Sequence, residues 1–155
     1  MLSDINNIFT LKVCLAFAKW LGTSLNLTES ETAWIERSIL SKKASANGYD
    51  VEISVPVPII GEVKCNVPIN QGVVYGSAQQ AGIAKDVNAL LNGKTRSNIE
   101  VHKYLKFLVL LDTPDIRRAT EHFFNKSAFK ERVVFVSPGN ALTRFDVIYV
   151  VFVAP

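Results

Sequence analysis

Residues 49–67 constrain the fold more tightly than any other stretch of the chain. Tyr49 to Val55 alternates as a half-buried strand does, with Val51, Ile53 and Val55 pointing one way and Asp50, Glu52 and Ser54 the other. After Pro56-Val57-Pro58, the segment Ile59 to Val67 reads as a second strand. Two strands separated by so few residues can only be antiparallel neighbours, so they form a hairpin. Proline cannot donate to a sheet ladder, which puts Pro56 and Pro58 at a turn or an edge.

Around this hairpin the pattern is mixed. An apolar helical stretch, Ile5 to Leu21, is closed by Gly22 as a C-terminal cap. A second helix starts at the capping-box sequence Thr28-Glu29-Ser30-Glu31 and reaches Lys43, followed by a turn at Ala46 to Gly48. Ser77 to Leu91 forms a third helix with Ile83, Val87 and Leu90 on one face, stopping near Asn92-Gly93. Tyr104 to Leu111 is an apolar strand interrupted only by Lys106, and Thr113-Pro114 caps and opens a helix that ends near Asn125. Arg132 to Val136 and Asp146 to Val153 are further strands around a turn at Ser137-Pro138-Gly139-Asn140. The order predicts an α/β fold with a mixed central sheet flanked by helices.

Composition narrows the class. The 155 residues are 48% hydrophobic and 20% charged, ordinary for a globular domain, which argues against disorder, coiled coils and fibrous repeats. There is no repeat and no linker, so a single domain is expected over 1–155: an N-terminal helical segment (1–27), a core motif region (28–111) and a C-terminal helix with strands (112–155). Cys14 and Cys65 lack the spacing of a disulfide framework and read as buried thiols in a reducing compartment. No signal peptide is recognisable, and the longest apolar run, Val147 to Ala154, falls well short of the roughly 20 residues a bilayer span needs. A cytoplasmic protein with no membrane partner is the expectation. The net charge of +3 divides unevenly: residues 1–77 hold six Lys and Arg against seven acids, residues 78–155 eleven against seven. A basic half of this kind suits a phosphate footprint.

The chemistry concentrates in the hairpin. A turn centred on Val57 sets Glu52 opposite Glu62 and Asp50 opposite Lys64; one centred on Pro56 sets Asp50 opposite Glu62. Either register gathers Asp50, Glu52, Glu62 and Lys64 on one face. Adjacent carboxylates repel unless a cation lies between them. Mg²⁺ accepts such oxygen ligands in a near-octahedral shell, to which the Val63 carbonyl would add a third, and it polarises a phosphoryl oxygen and acidifies bound water. Lys64 would orient that water or stabilise the charge that develops on phosphorus. In isolation a Glu-x-Lys pair is a common surface ion pair. Here Ile59-Ile60-Gly61 leads into it and a strand beginning with an acid precedes it, as in a buried strand with charges at one end.

The segment Asp50 … Gly61-Glu62-Val63-Lys64-Cys65-Asn66 resembles the motif of the PD-(D/E)XK nuclease superfamily, which has the restriction-endonuclease-like fold: an Asp on one strand, then Glu or Asp, any residue and Lys on the next. The likeness is strong over residues 49–67 and looser, in element order alone, over 28–111. It implies Asp50 and Glu62, with the Val63 carbonyl, as ligands of Mg²⁺ or Mn²⁺, and Lys64 as the catalytic lysine. Glu52 is the alternative to Asp50. Glu36 matches a further acid that many members carry on the preceding helix, and on a helical wheel it falls between Ile39 and Leu40, beside Ala33, on the apolar, core-directed face. Gln80, or Gln79 in its place, matches a polar residue on the helix after the motif, and Lys85 on that helix is suited to DNA backbone. One departure stands: the family core has three antiparallel strands after its first helix, whereas only two are found here, unless a short strand near Ser45 or at Gln71 to Tyr75 supplies the third.

The expectation is a Mg²⁺-dependent endonuclease that hydrolyses DNA phosphodiester bonds, with Asp50, Glu62, Lys64, Glu36 and Gln80 at the site. Lys85, Lys94, Arg96, Lys103, Arg117 and Arg118 would contact phosphates, making affinity fall with salt. The alternatives are a structure-selective nuclease of the Holliday-junction-resolvase type, and a non-enzymatic DNA-binding or assembly subunit that retains the fold. A homodimer would pair two sites for two strands. At this length target selection would fall to a second copy or a second subunit.

Overall fold

The computed structural model describes residues 2–42, 48–69, 73–137 and 139–155, with side chains from residue 7 onward. Among the described residues four α-helices and five strands follow one another: α1 (Leu2–Ser24), α2 (Glu29–Ser41), β1 (Val51–Ile53), β2 (Ile59–Lys64), α3 (Ser77–Asn92), β3 (Leu105–Leu111), α4 (Pro114–Asn125), β4 (Val133–Phe135) and β5 (Ile148–Val153). The five strands form one sheet in the order β1-β2-β3-β5-β4. Only β1 runs antiparallel; β2, β3, β5 and β4 are mutually parallel. The expected mixed α/β sheet flanked by helices is therefore observed, with the hairpin at its edge. Among the described residues there is no third antiparallel strand. Ser45, most of the Ala46–Gly48 turn, Asn70 to Gly72 and Pro138 lie outside them.

Burial on both faces explains why the middle strands are so apolar. Val51, Ile59, Phe107, Val109, Tyr149 and Val151 pack beneath α1 and α2, against Val13, Phe17, Leu21, Ile35 and Ile39. Ile60, Leu108, Leu110, Ile148 and Val150 pack beneath α3 and α4, against Ile83, Val87, Leu90, Ile116 and Phe124. Phe107 anchors the first layer, its ring 5.1 Å from Phe17 and 5.6 Å from Tyr149. Lys106, the exception in β3, is buried, and its ammonium donates to the carbonyls of Tyr104 (3.1 Å) and Phe145 (2.5 Å). Burial, with Arg132 nearby, pulls its pKa down to about 8.

Helix ends follow local rules with one correction. The capping box at α2 forms on both sides: the Glu31 N–H donates to Thr28 Oγ1 (3.1 Å) and the Thr28 N–H to Glu31 Oε2 (2.9 Å). Thr28→Ala should lower the unfolding free energy by about 1 kcal/mol, read as a shift of the urea midpoint without a change in slope. Gly22, expected to close α1, lies inside it. The helix ends instead at Ser24 and is closed by Asn26, at φ 53°, with the Leu27 N–H on the Gly22 carbonyl (2.9 Å) and the Asn26 N–H on the Thr23 carbonyl (3.3 Å). This is a Schellman end with Asn in the left-handed position. Gly22 has a different use: a Cβ there would stand 2.5 Å from Thr32 Oγ1, so its absence lets α1 and α2 touch.

Candidate active site

The β1–β2 register decides which charges meet. Val51 faces Gly61 and Glu52 faces Ile60, the Pro56-centred alternative, which continues to Asp50 opposite Glu62. Asp50 sits where the chain bends into β1, and its carboxylate accepts the Val63 N–H at 2.8 Å. On β2, Glu62 and Lys64 share the face of Ile60 and turn toward α3. The result is a cleft of about 570 Å³ whose walls include Asp50, Glu62, Val63 and Lys64 from the hairpin, and Lys85, Asp86, Lys94 and Arg96 from α3 and the chain after it.

Glu62 is the unusual member. It is only 5% exposed, although carboxylates are almost never fully buried unless paired. Burial pushes its pKa up to about 7, against the pull of Lys94, and the neighbouring Asp50 carboxylate pushes the same way. The Lys94 ammonium lies 2.6 Å from Glu62 Oε1. The pair lacks ideal hydrogen-bonding geometry at Oε1. A carboxylate withdrawn from water beside a second carboxylate is stabilised by a cation, here that of Lys94. Two carboxylates and the Val63 carbonyl fit the small protein share that Mg²⁺ usually takes. Among the described residues there is no larger cluster of three or more His, Cys, Asp or Glu for a metal.

Lys64 is held in an ion pair. Its ammonium is 2.7 Å from Asp86 on α3, both groups being partly buried. Sequence reasoning did not single out Asp86. The available signal was its place one residue before inward-facing Val87, on the flank of α3 that Lys85 and Ala89 share.

Several expected members stand elsewhere. Glu36 lines a surface groove with Lys19, Thr23 and Ala33, on the far side of the sheet from the cleft. The inward face of α2 is set by Ile35 and Ile39, whereas Leu40 is 60% exposed, so Glu36 is turned away from the core. Gln80 donates to the Tyr75 carbonyl at 2.8 Å and faces α4. Gln79 caps its own helix, accepting the Gly76 N–H (3.0 Å) and donating to the Val67 carbonyl (2.7 Å). Glu52 does not join the cleft; it accepts the Tyr49 N–H at 2.9 Å and lies 3.8 Å from Lys42. Gln80→Ala and Glu36→Ala should therefore leave any cleavage rate within about twofold of wild type, the range of surface changes that touch no reacting group, in a plasmid-nicking time course.

Of the six expected phosphate contacts, Lys85 and Arg96 line the cleft, and Lys94 lines it with its charge turned onto Glu62. Lys103 is paired with Glu100 (2.7 Å) and Arg118 stands near Asp115 (3.6 Å). Arg117 forks onto Asp112 and lies over the Phe152 ring. None of these three lines the cleft.

The thiols take no part in the cleft wall. Both are free, Cys14 buried and Cys65 half-buried, and burial pushes the Cys14 thiol up to about 12. Among the described residues no helix is long and apolar enough to cross a membrane. Comparison with protein-family models, curated proteins and solved structures gives no match for the chain.

Proposed function

We propose that the cleft hydrolyses phosphodiester bonds in DNA with the help of Mg²⁺ or Mn²⁺, on a restriction-endonuclease-like core of the PD-(D/E)XK kind. The observation that carries this reading is the convergence of Asp50, buried Glu62 and Lys64 at one end of the hairpin, in a cleft whose opposite wall is basic. Asp50, Glu62 and the Val63 carbonyl would hold the ion, which supplies Lewis acidity at the phosphoryl group and a more acidic bound water. The remaining work belongs to the chain. Lys64, positioned by Asp86, would orient the attacking water and offset charge growing on the phosphoryl oxygens. Lys85 and Arg96 hold the phosphate backbone across the mouth.

A second reading has its own support. Lys94 already offsets the Glu62 charge, which suits a DNA-binding or assembly subunit that keeps the fold without cutting. The two readings separate in one assay: supercoiled plasmid, linear duplex and a four-way junction, each incubated with Mg²⁺, with Mn²⁺ and with chelator. Metal-dependent nicking of plasmid supports the endonuclease, and cleavage confined to the junction supports a resolvase-type enzyme. Retention of DNA on a gel without cutting in either metal supports the non-enzymatic subunit.

A further inference from the structure

We infer that Lys94 is a built-in counter-cation that a divalent ion must displace from Glu62, an inference that rests on the metal reading above. Its setting is a cation site made from the chain itself. Gly93, at φ 90°, ends α3 with its N–H on the Ala89 carbonyl (2.9 Å) and turns the chain so that the next side chain returns over the cleft. The Lys94 ammonium then meets three electron-rich groups: Glu62 Oε1 at 2.6 Å, the Gly48 carbonyl at 2.6 Å, and the face of Tyr49, 4.6 Å from its centroid. Tyr49 is itself fixed, 1% exposed, with its hydroxyl on the Ala89 carbonyl at 2.7 Å. A carboxylate, a carbonyl and a π face are the partners of a bound ammonium.

The other charges at the cleft do not duplicate this contact. Lys64 is committed to Asp86, and Asp50 spends one carboxylate oxygen on the Val63 N–H. Lys94 is thus the cation that offsets the Glu62 carboxylate beside Asp50. A divalent ion at the same carboxylate competes with it directly. Once released, the ammonium joins Lys85 and Arg96 as a phosphate-binding group, so metal and nucleic acid assist each other's binding by linkage.

The test is a Mn²⁺ titration of the full chain at pH 8, followed by the electron paramagnetic resonance signal of free Mn²⁺, for wild type, Lys94→Met, Lys94→Gln and Lys94→Arg. Lys94→Met and Lys94→Gln should bind Mn²⁺ at least about tenfold more tightly than wild type, within the usual range of coupling between competing sites. Lys94→Arg, which keeps the charge, should stay near wild type. Thermal melts give a second readout: Mn²⁺ should raise the midpoint of Lys94→Gln more than that of wild type. The glutamine variant keeps a donor for the Gly48 carbonyl and so covers the case in which the methionine variant folds poorly. Equal or weaker binding by the uncharged variants overturns the inference and leaves the metal reading intact. Absence of Mn²⁺ binding in all four proteins overturns both.

Discussion

Lys64→Ala should slow metal-dependent DNA cleavage by about 10²- to 10³-fold, the usual effect of removing one preorganised charge aimed at the reacting oxygens. The ammonium is not a loose surface cation. Period two along β2 sets it on the same face as Glu62, and Asp86 holds it from across the cleft at 2.7 Å. Gly82 on α3 lies beside it, where a Cβ would stand 3.7 Å from Nζ. Lys64→Arg should recover part of the loss, because the charge remains while the planar guanidinium presents it differently. Initial rates of plasmid nicking, measured for the three proteins at one metal concentration, check this. Equal rates for wild type and Lys64→Ala would remove the lysine from the mechanism.

The second large effect is on stability. Folding raises the pKa of Glu62 from 4.5 to about 7, so the native state binds this proton more tightly than the unfolded state does. Stability therefore falls as pH rises through the interval between those two values. The drop is on the order of a few kcal/mol. Metal-free protein in chelator should accordingly unfold at lower urea at pH 7.5 than at pH 5, after correction for other groups by comparison with Glu62→Gln. That variant cannot ionise at this position, and its profile should be flatter over the same range. Asp50→Asn should flatten the profile in part, since the neighbouring charge is one cause of the shift. Parallel profiles for wild type and Glu62→Gln would mean that Glu62 titrates in the native state as it does in water.

The hairpin was legible because its chemistry is local. Alternation and the Pro56-Val57-Pro58 break allow only two registers, and both keep Glu62 and Lys64 on one face. The choice between them was not legible, since it depends on how the chain bends at Asp50 to donate the Val63 N–H to its carboxylate. Glu52 stays on the face of Ile60 but does not reach the cleft, its carboxylate being drawn to the Tyr49 N–H three residues back. On α2 the helical wheel treated Leu40 as inward, but α1 packs onto Ile35 and Ile39 through the gap left by Gly22, and that tertiary contact sets the face. The same holds for Gln79 and Gln80, whose amides are consumed by nearby carbonyls that only the folded loop brings within reach. Charge pairing was the least legible feature. Glu100 with Lys103 is separated by three residues and readable from sequence; Asp86 with Lys64 and Glu62 with Lys94 join distant segments and depend on where α3 docks.

The central claim, that Asp50, Glu62 and Lys64 form a metal-dependent hydrolytic site, is tested most directly by the nicking of supercoiled plasmid by purified wild type and Glu62→Gln, each in Mg²⁺ and in chelator. The account predicts nicked and linear products from wild type in Mg²⁺ alone, with the glutamine variant at least about a hundredfold slower. Cleavage that persists in chelator, cleavage that Glu62→Gln shares, or intact plasmid with every protein would contradict it.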